Sequence, residues 1–272
     1  MLGNRILGIH GVGNFQPGLD TAAASERLSD WWRSALGKLP SAELQLEVYY
    51  YAHLVTALIG QGGEGLSYLD DVATAAAISW ASQLGAYDEI PQGRLTQPAR
   101  IGVEWVARRY GLDYGLVARF AATFFPEILR YFADVQVRSA AIEGFADAIA
   151  RVKPQIVIAH SLGSVVAYDA LWAYPDCVVD VFLTLGSPLA MPDVVYDRLA
   201  KHPGSRRRPP GVRRWINIAD YGDIIAIPKE GVSRAFLDLT SDISDNIHAF
   251  DFHRVTNYLA CPATTGVLAA MT

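Results

Sequence analysis

Short apolar runs alternate along the chain with longer stretches of helical spacing, the pattern of a parallel sheet covered by helices. Residues 5–9 form the first run and predict a strand, closed by the glycine-rich turn Gly11-Val12-Gly13. Residues 21–36 repeat apolar positions at helical spacing, with Trp31 and Trp32 towards the end and Gly37 as a stop. Residues 44–51 (LQLEVYYY) alternate like a half-buried strand. Residues 155–159 are rich in β-branched side chains, as expected of a strand buried on both faces, and 178–185 and 213–219 predict two more strands.

About a hundred residues separate Tyr51 from the 155–159 strand, far more than one crossover needs. Within them, 66–86, 100–109, 116–125 and 126–152 have helical character, the last opened by Pro126 at a position that suits a first turn. Gly-rich breaks at 60–65 and 90–93 punctuate the segment. The expectation is an α/β chain forming a single domain over 1–272. Residues 53–133 form an inserted helical cap, and the helix near 134–152 returns to a mostly parallel sheet. A plainer reading makes the same helices the outer layer of the sheet. No internal repeat or low-complexity tract is present.

Composition narrows the class. With 51% hydrophobic and 19% charged residues and a formal net charge of −5, the chain has the material of a folded core and no general attraction for nucleic acid. Cys177 and Cys261 sit in no CxxC or Cys/His cluster, so neither a disulfide framework nor a cysteine zinc site is expected. The first ten residues lack the charged and apolar regions of a secretion signal, and no apolar run has the length of a membrane span. A cytoplasmic protein without metal or cofactor is expected.

The strongest chemical signal is Ala159-His160-Ser161-Leu162-Gly163, which joins the 155–159 strand to an apolar-faced helix over 163–171. A serine on such a turn is held in a strained conformation that lifts its hydroxyl above the sheet, and the residues two before and two after it must be small. Ala159 and Gly163 meet that need. The pattern alone is common in chains of this length; its setting between buried strand and helix gives it weight. The turn also places the N–H of Leu162 at a helix N-terminus, where it can donate to a developing oxyanion. A phosphate loop is the competing reading of His10-Gly-Val-Gly-Asn14. It lacks the Lys-Ser/Thr of a nucleotide-binding loop and the dinucleotide glycine spacing.

AHSLGS after a β-branched strand, with HGVG at the end of the first strand, resembles the lipase and esterase branch of the α/β-hydrolase superfamily. The resemblance runs from Ile6 to about Ala270 and is weak over 53–133. It implies an acyl-enzyme on Ser161 and a second oxyanion donor from the residue after the HG glycine, here Val12. Ala159 departs slightly from the family's usual first glycine.

A serine hydroxyl needs a histidine base, and the base needs a carboxylate to fix its tautomer. The family's chain order of Ser, acid, His limits both to positions after Ser161. The loop after the 213–219 strand offers Asp223, followed as in similar hydrolases by a short apolar stretch and a proline. Asp220 is the reserve and can instead cap the turn. His253, before Tyr258-Leu259 as the base stands in similar hydrolases, is the favoured base, and His248 is the reserve; His202 precedes the acid and has the wrong order. Of the earlier histidines, His10 is expected to hold the oxyanion loop by hydrogen bonds and His160 to point into neighbouring structure. His53 has no assigned role. None has the spacing of a metal pair.

Three features remain open. Gly186-Ser-Pro188 reads as a structural turn or, as in lipase-like relatives, as part of the pocket rim. The stretch 201–214 holds six Lys or Arg and no acidic residue, which suits either a solvated loop or peripheral contact with anionic lipid. Trp80, Trp105, Tyr110, Tyr114, Phe120, Phe124, Phe125, Tyr131 and Phe132 should mostly pack as core. Any that face Ser161 would suit an apolar acyl chain, and a cap that moves would exclude water during attack. The resemblance implies hydrolysis of a small-molecule or lipid acyl ester. A thioesterase, a transacylase or a non-catalytic binding module of the same fold are the rivals.

Overall fold

The computed structural model describes residues 5–37, 45–56, 65–89, 96–200, 206–247 and 253–271. Strands β1 (Arg5–Ile9), β2 (Gln45–Tyr49), β3 (Ile156–His160), β4 (Val179–Leu185), β5 (Val212–Asp220) and β6 (Ser241–Asp245) form one sheet in the order β2-β1-β3-β4-β5-β6. Every neighbouring pair is parallel, the arrangement expected of an α/β-hydrolase-type sheet. Helix α1 (Thr21–Leu36) joins β1 to β2, and α2 (Ala52–Val55) through α6 (Val135–Val152) lie between β2 and β3. They include α3 (Asp71–Ala81), α4 (Thr96–Tyr110) and α5 (Tyr114–Ala133). After β3 come α7 (Leu162–Ala173), α8 (Gly231–Ala235), α9 (Val255–Ala260) and α10 (Pro262–Ala269).

Alternation along the strands divides the core in two. Leu7, Ile9, Val157, Ala159 and Phe182 face the layer that holds α3 to α7. Ile6, Ile156, Ile158, Val181 and Leu183 face the other way, onto Ala24, Leu28 and Trp32 of α1 and Leu259 of α9. Burial on both faces is why the central strands read as continuous apolar runs.

The two edges of the described sheet differ. On β2, α1 covers the outer backbone groups: the Ser25 hydroxyl donates to Val48 O (2.6 Å), Val48 N–H donates to Ser29 Oγ (2.9 Å), and Arg33 donates to Leu46 O (3.0 Å). Strand β6, Ser-Asp-Ile-Ser-Asp, was not expected from the pattern because only Ile243 is apolar. An edge strand tolerates this, and charge there discourages further pairing. Its Asp242 accepts from the Asn217 amide (2.8 Å) and from Ser233 N–H (2.9 Å), which fixes β6 to β5 and α8.

Two expectations in the helical segment are corrected. The break before Pro126 does not occur: the proline lies inside α5, which runs on to Ala133. A proline inside a helix costs roughly 3 kcal/mol. Phe124 and Phe125 before it and Ile128 and Tyr131 after it are fully buried on one helix, and that packing outweighs the missing rung. The true boundary is Asp134, whose carboxylate accepts from Gln136 and Val137 N–H and caps α6. The 66–86 helix is instead a 3-10 turn at Leu66–Tyr68, then α3 capped by Asp70, then a π turn over Ser82–Ala86.

A buried polar cluster ties these helices to α7. Asp169 Oδ2 accepts from Tyr131 Oη (2.8 Å) and from Arg138 Nε and Nη2 (3.1 and 2.6 Å), while the guanidinium lies 5.2 Å from the Phe132 ring centre. Asp169 is 1% exposed, so removing its charged partner strands a carboxylate in the core. Arg138→Ala is expected to lower unfolding stability by about 3 kcal/mol, read as a shift of the urea midpoint with an unchanged slope.

Candidate active site

Ser161 occupies the single position between the end of β3 and the start of α7, with φ 54° and ψ −130°. Few non-glycine residues adopt that backbone, and here the surroundings enforce it. Ser161 N–H donates to Leu185 O on the neighbouring strand (3.1 Å), and its carbonyl accepts from the Ser164 hydroxyl (2.6 Å). The tight packing foreseen around the turn is visible in two glycines. A Cβ on Gly163 would stand 2.5 Å from His10 O and 2.6 Å from Ile9 O, and one on Gly11 would stand 2.5 Å from Ser161 Cβ. Neither could carry a side chain without displacing backbone.

The structure brings Ser161, His253 and Asp223 into one hydrogen-bonded chain. His253 Nε2 lies 2.7 Å from Ser161 Oγ, and His253 Nδ1 lies 2.8 Å from Asp223 Oδ2. A carboxylate accepts only, so Nδ1 carries the ring proton and Nε2 is left to accept from the serine. Asp223 is anchored by Ile225 N–H (2.7 Å) and Ala226 N–H (3.3 Å) on one oxygen and by Tyr258 Oη (2.6 Å) on the other. Tyr258 also accepts from Asp220 N–H (2.9 Å), and burial together with Asp223 raises its phenol well above the usual range. Sequence reasoning used Tyr258 only as context for His253; here it braces the acid.

The reserve residues stand elsewhere. Asp220 accepts from Gly222 N–H (3.1 Å) and Ile247 N–H (3.3 Å), so it closes the turn instead of meeting the imidazole. His248 lies outside the described residues. Gly186-Ser-Pro188 lies behind the site, with Gly186 against Asp223 and His253 and the Ser187 hydroxyl 2.7 Å from that of Ser164.

Residues 10–14 form the second wall. His10 Nδ1 donates to Gly11 O (2.8 Å), and its Nε2 accepts from Tyr51 N–H (3.2 Å). Burial lowers its pKa to about 4, so the ring is neutral near pH 7, and the Tyr51 ring stacks on it at 4.5 Å. The Asn14 amide donates to the carbonyls of Gly11 and Val12, both at 3.0 Å. Among the described residues, the N–H groups of Val12 and Leu162 have no acceptor. His160 is buried with its ring centre 4.7 Å from that of His253, and burial and His253 hold its pKa well below the usual value. His53 is exposed and stacks on Tyr50.

A cavity of about 240 Å³ opens over Ser161, with Val12, Trp31, Leu116, Phe120 and Val255 as apolar walls. Phe120 meets the His253 ring edge-on at 5.4 Å, whereas Trp80, Phe124, Phe125 and Tyr131 are fully buried core. A larger groove of about 730 Å³ beside Arg100 and Arg119 is not lined by Ser161. In the basic segment, residues 201–205 lie outside the described residues; Arg207 pairs with Asp238 and Arg213 with Asp180, while Arg206 lies over the Tyr196 ring. Among the described residues no group of three or more His, Cys, Asp or Glu could hold a metal ion, and no helix is long and apolar enough to cross a membrane.

No family model and no curated protein matches the sequence significantly. The solved structures to which the chain has some likeness include the following two. One, the esterase domain of a Rhodothermus marinus protein, is 12% identical, with a TM-score of 0.40 over 98% of this chain and 85% of that one. The other, an arylesterase, is 8% identical, with a TM-score of 0.38 over 100% of this chain and 76% of that one.

One buried acid near the site escaped sequence reasoning. Glu127 of α5 is 5% exposed and accepts from Gly13 N–H (3.1 Å) and the Thr56 hydroxyl (3.2 Å). Burial pushes its pKa up to about 7, and these two bonds only partly oppose the shift. The folded protein therefore holds a proton that the unfolded chain releases near pH 4.5, so this group costs stability as pH rises between those values. Glu127→Gln carries no such cost. Its stability relative to wild type is expected to improve by about 3 kcal/mol from pH 5 to pH 8, measured by paired urea titrations that cancel the other groups.

Proposed function

We propose that the chain is a serine hydrolase that cleaves small carboxylic esters through an acyl-enzyme on Ser161. The observation that carries this reading is the unbroken path Ser161 Oγ, His253 Nε2, His253 Nδ1, Asp223 Oδ2, with both links under 3 Å. In the first step His253 takes the serine proton as Oγ bonds to the ester carbonyl carbon. The carbonyl oxygen becomes an oxyanion, which Val12 and Leu162 N–H receive. Collapse of the intermediate breaks the carbon–oxygen bond, and His253 gives its proton to the departing alcohol. Water then takes the alcohol's place: its oxygen bonds to the acyl carbon as His253 removes its proton, the acyl–serine bond breaks, and His253 returns that proton to Ser161 as the acid leaves.

Size and lining narrow the substrate. A cavity of about 240 Å³ falls below the roughly 300–1,000 Å³ of sites for drug-sized ligands. Phe120 and Leu116 close one side of it with apolar surface, which favours a short acyl group over a fatty chain. The helices of 53–133 act in this reading as a cap that supplies this wall.

Wild type is expected to react with a fluorophosphonate and to hydrolyse nitrophenyl acetate and butyrate faster than the decanoate. Ser161→Ala should show neither labelling nor hydrolysis, and Asp223→Asn should lose about a thousandfold or more in kcat with labelling slowed in step. Wild type that resists the probe while folded would indicate a binding module. Phe120→Ala is expected to raise the decanoate-to-butyrate ratio of kcat/KM by about tenfold; an unchanged ratio would remove Phe120 from the acyl pocket. Faster turnover of the matching thioesters, or transfer to an added alcohol in place of water, would redirect the assignment to a thioesterase or transacylase.

A further inference from the structure

The peptide that would offer Val12 N–H to an oxyanion belongs to a turn gripped at almost every polar atom. In the Gly11–Val12 peptide plane, the carbonyl is held by His10 Nδ1 (2.8 Å) and Asn14 Nδ2 (3.0 Å), so the N–H points away from both. In the next plane, the Val12 carbonyl is held by Asn14 (3.0 Å) and the Gly13 N–H by Glu127 Oε2 (3.1 Å). Among the described residues, Glu127 is the one hydrogen-bonding anchor that reaches the turn from the helical layer, 114 residues along the chain. Its other oxygen accepts from Thr56 Oγ1 (3.2 Å), and Arg130, one turn further along α5, donates to the Thr56 carbonyl (3.3 Å). The carboxyl takes no part in the Ser161–His253–Asp223 path, yet it is 5% exposed on a helix whose neighbouring residues on that face, Phe124, Ile128 and Tyr131, are apolar or aromatic core. Burying a carboxyl costs folding free energy that hydrogen bonds must offset, and here the two bonds offset it only in part.

Taking the ester-hydrolase reading as given, we propose that Glu127 is a positioning residue. By accepting from Gly13 N–H it stops the Val12–Gly13 plane from rotating and so steadies, across the Val12 Cα, the adjoining Gly11–Val12 plane that carries Val12 N–H toward the position of the oxyanion. The requirement is for an acceptor oxygen at that distance. A glutamine supplies the same oxygen to Gly13 and an amide donor to Thr56 Oγ1, whereas alanine supplies nothing and aspartate falls one methylene short.

The test measures nitrophenyl butyrate hydrolysis and the fluorophosphonate labelling rate for wild type, Glu127→Gln, Glu127→Asp and Glu127→Ala, each checked for folding by circular dichroism. Misplacing one oxyanion donor acts on the transition state and not on substrate binding. The alanine and aspartate variants should therefore lose about tenfold or more in kcat with KM within about threefold, and labelling should slow in parallel. Glu127→Gln should keep kcat within about threefold of wild type. Folded alanine or aspartate variants that turn over like wild type would overturn the proposal. So would a folded glutamine variant that loses about tenfold or more in kcat against wild type, a result available even if the other two do not fold. Wild type that neither labels nor hydrolyses would sink the hydrolase reading itself, which these comparisons keep separate.

Discussion

The 2.7 Å hydrogen bond between Ser161 Oγ and His253 Nε2 joins residues 92 apart in sequence, and it exists only because several loops converge above one end of a parallel sheet. Parallel strands place all their carboxyl ends on the same side, so the turns after β1, β3 and β5 meet there without further design. Ser161 follows β3, the 10–14 turn follows β1, and Asp223 follows β5. The strain at Ser161 depends on the same sheet. Its N–H is claimed by Leu185 O, and Gly163 sits against the last carbonyls of β1. Relaxing φ would break the first contact and open the second.

Hydrogen-bond supply divides the site into a fixed part and an available part. Asp223 receives four donors, from His253, Tyr258, Ile225 and Ala226, so its position and orientation are over-determined. The Gly11 carbonyl likewise receives both His10 and Asn14, and the Val12 carbonyl receives Asn14. Among the described residues, Val12 N–H and Leu162 N–H remain unclaimed beside the hydroxyl that faces the imidazole, as does the buried Nε2 of His160. On the proposed ester-hydrolase reading, such donors are fixed before a substrate arrives and need no reorganisation when charge develops.

Much of this was legible in the sequence, for identifiable reasons. The apolar runs of β1, β3, β4 and β5 announce burial on both faces, and the small residues around Ser161 announce a tight turn. The chain order then leaves few carboxylates and imidazoles to consider. β6 stayed hidden because an edge strand can be polar, and the break assigned to Pro126 failed because local propensity cannot see Phe125 and Ile128 buried on either side of it. Tyr258, Trp80 and Glu127 act through contacts with distant segments, which periodicity does not report. Glu127 did leave a trace: it is a lone carboxyl in the run Phe124-Phe-Pro-Glu-Ile-Leu129, spaced to share a face with Phe124 and Tyr131.

Those distant contacts also bear on how the helical layer relates to the site. Trp80 of α3 donates to Ile224 O (2.7 Å), beside Asp223; Phe120 of α5 packs edge-on against His253; Glu127 of α5 holds Gly13. The layer thus touches the acid loop, the imidazole and the 10–14 turn separately. Swinging α5 outward as a rigid lid would break the Glu127 bond and pull Tyr131 from Asp169, both buried, while removing the aromatic face from His253. Each loss costs on the order of 1–3 kcal/mol, and they fall together on one helix. The exposed Trp31 and Arg254, neither of them on α5, also line this cavity, so solvent meets it at residues that take no part in these bonds. The helices therefore serve the site best by staying where they are, as the fixed wall against which the polar turns are aligned.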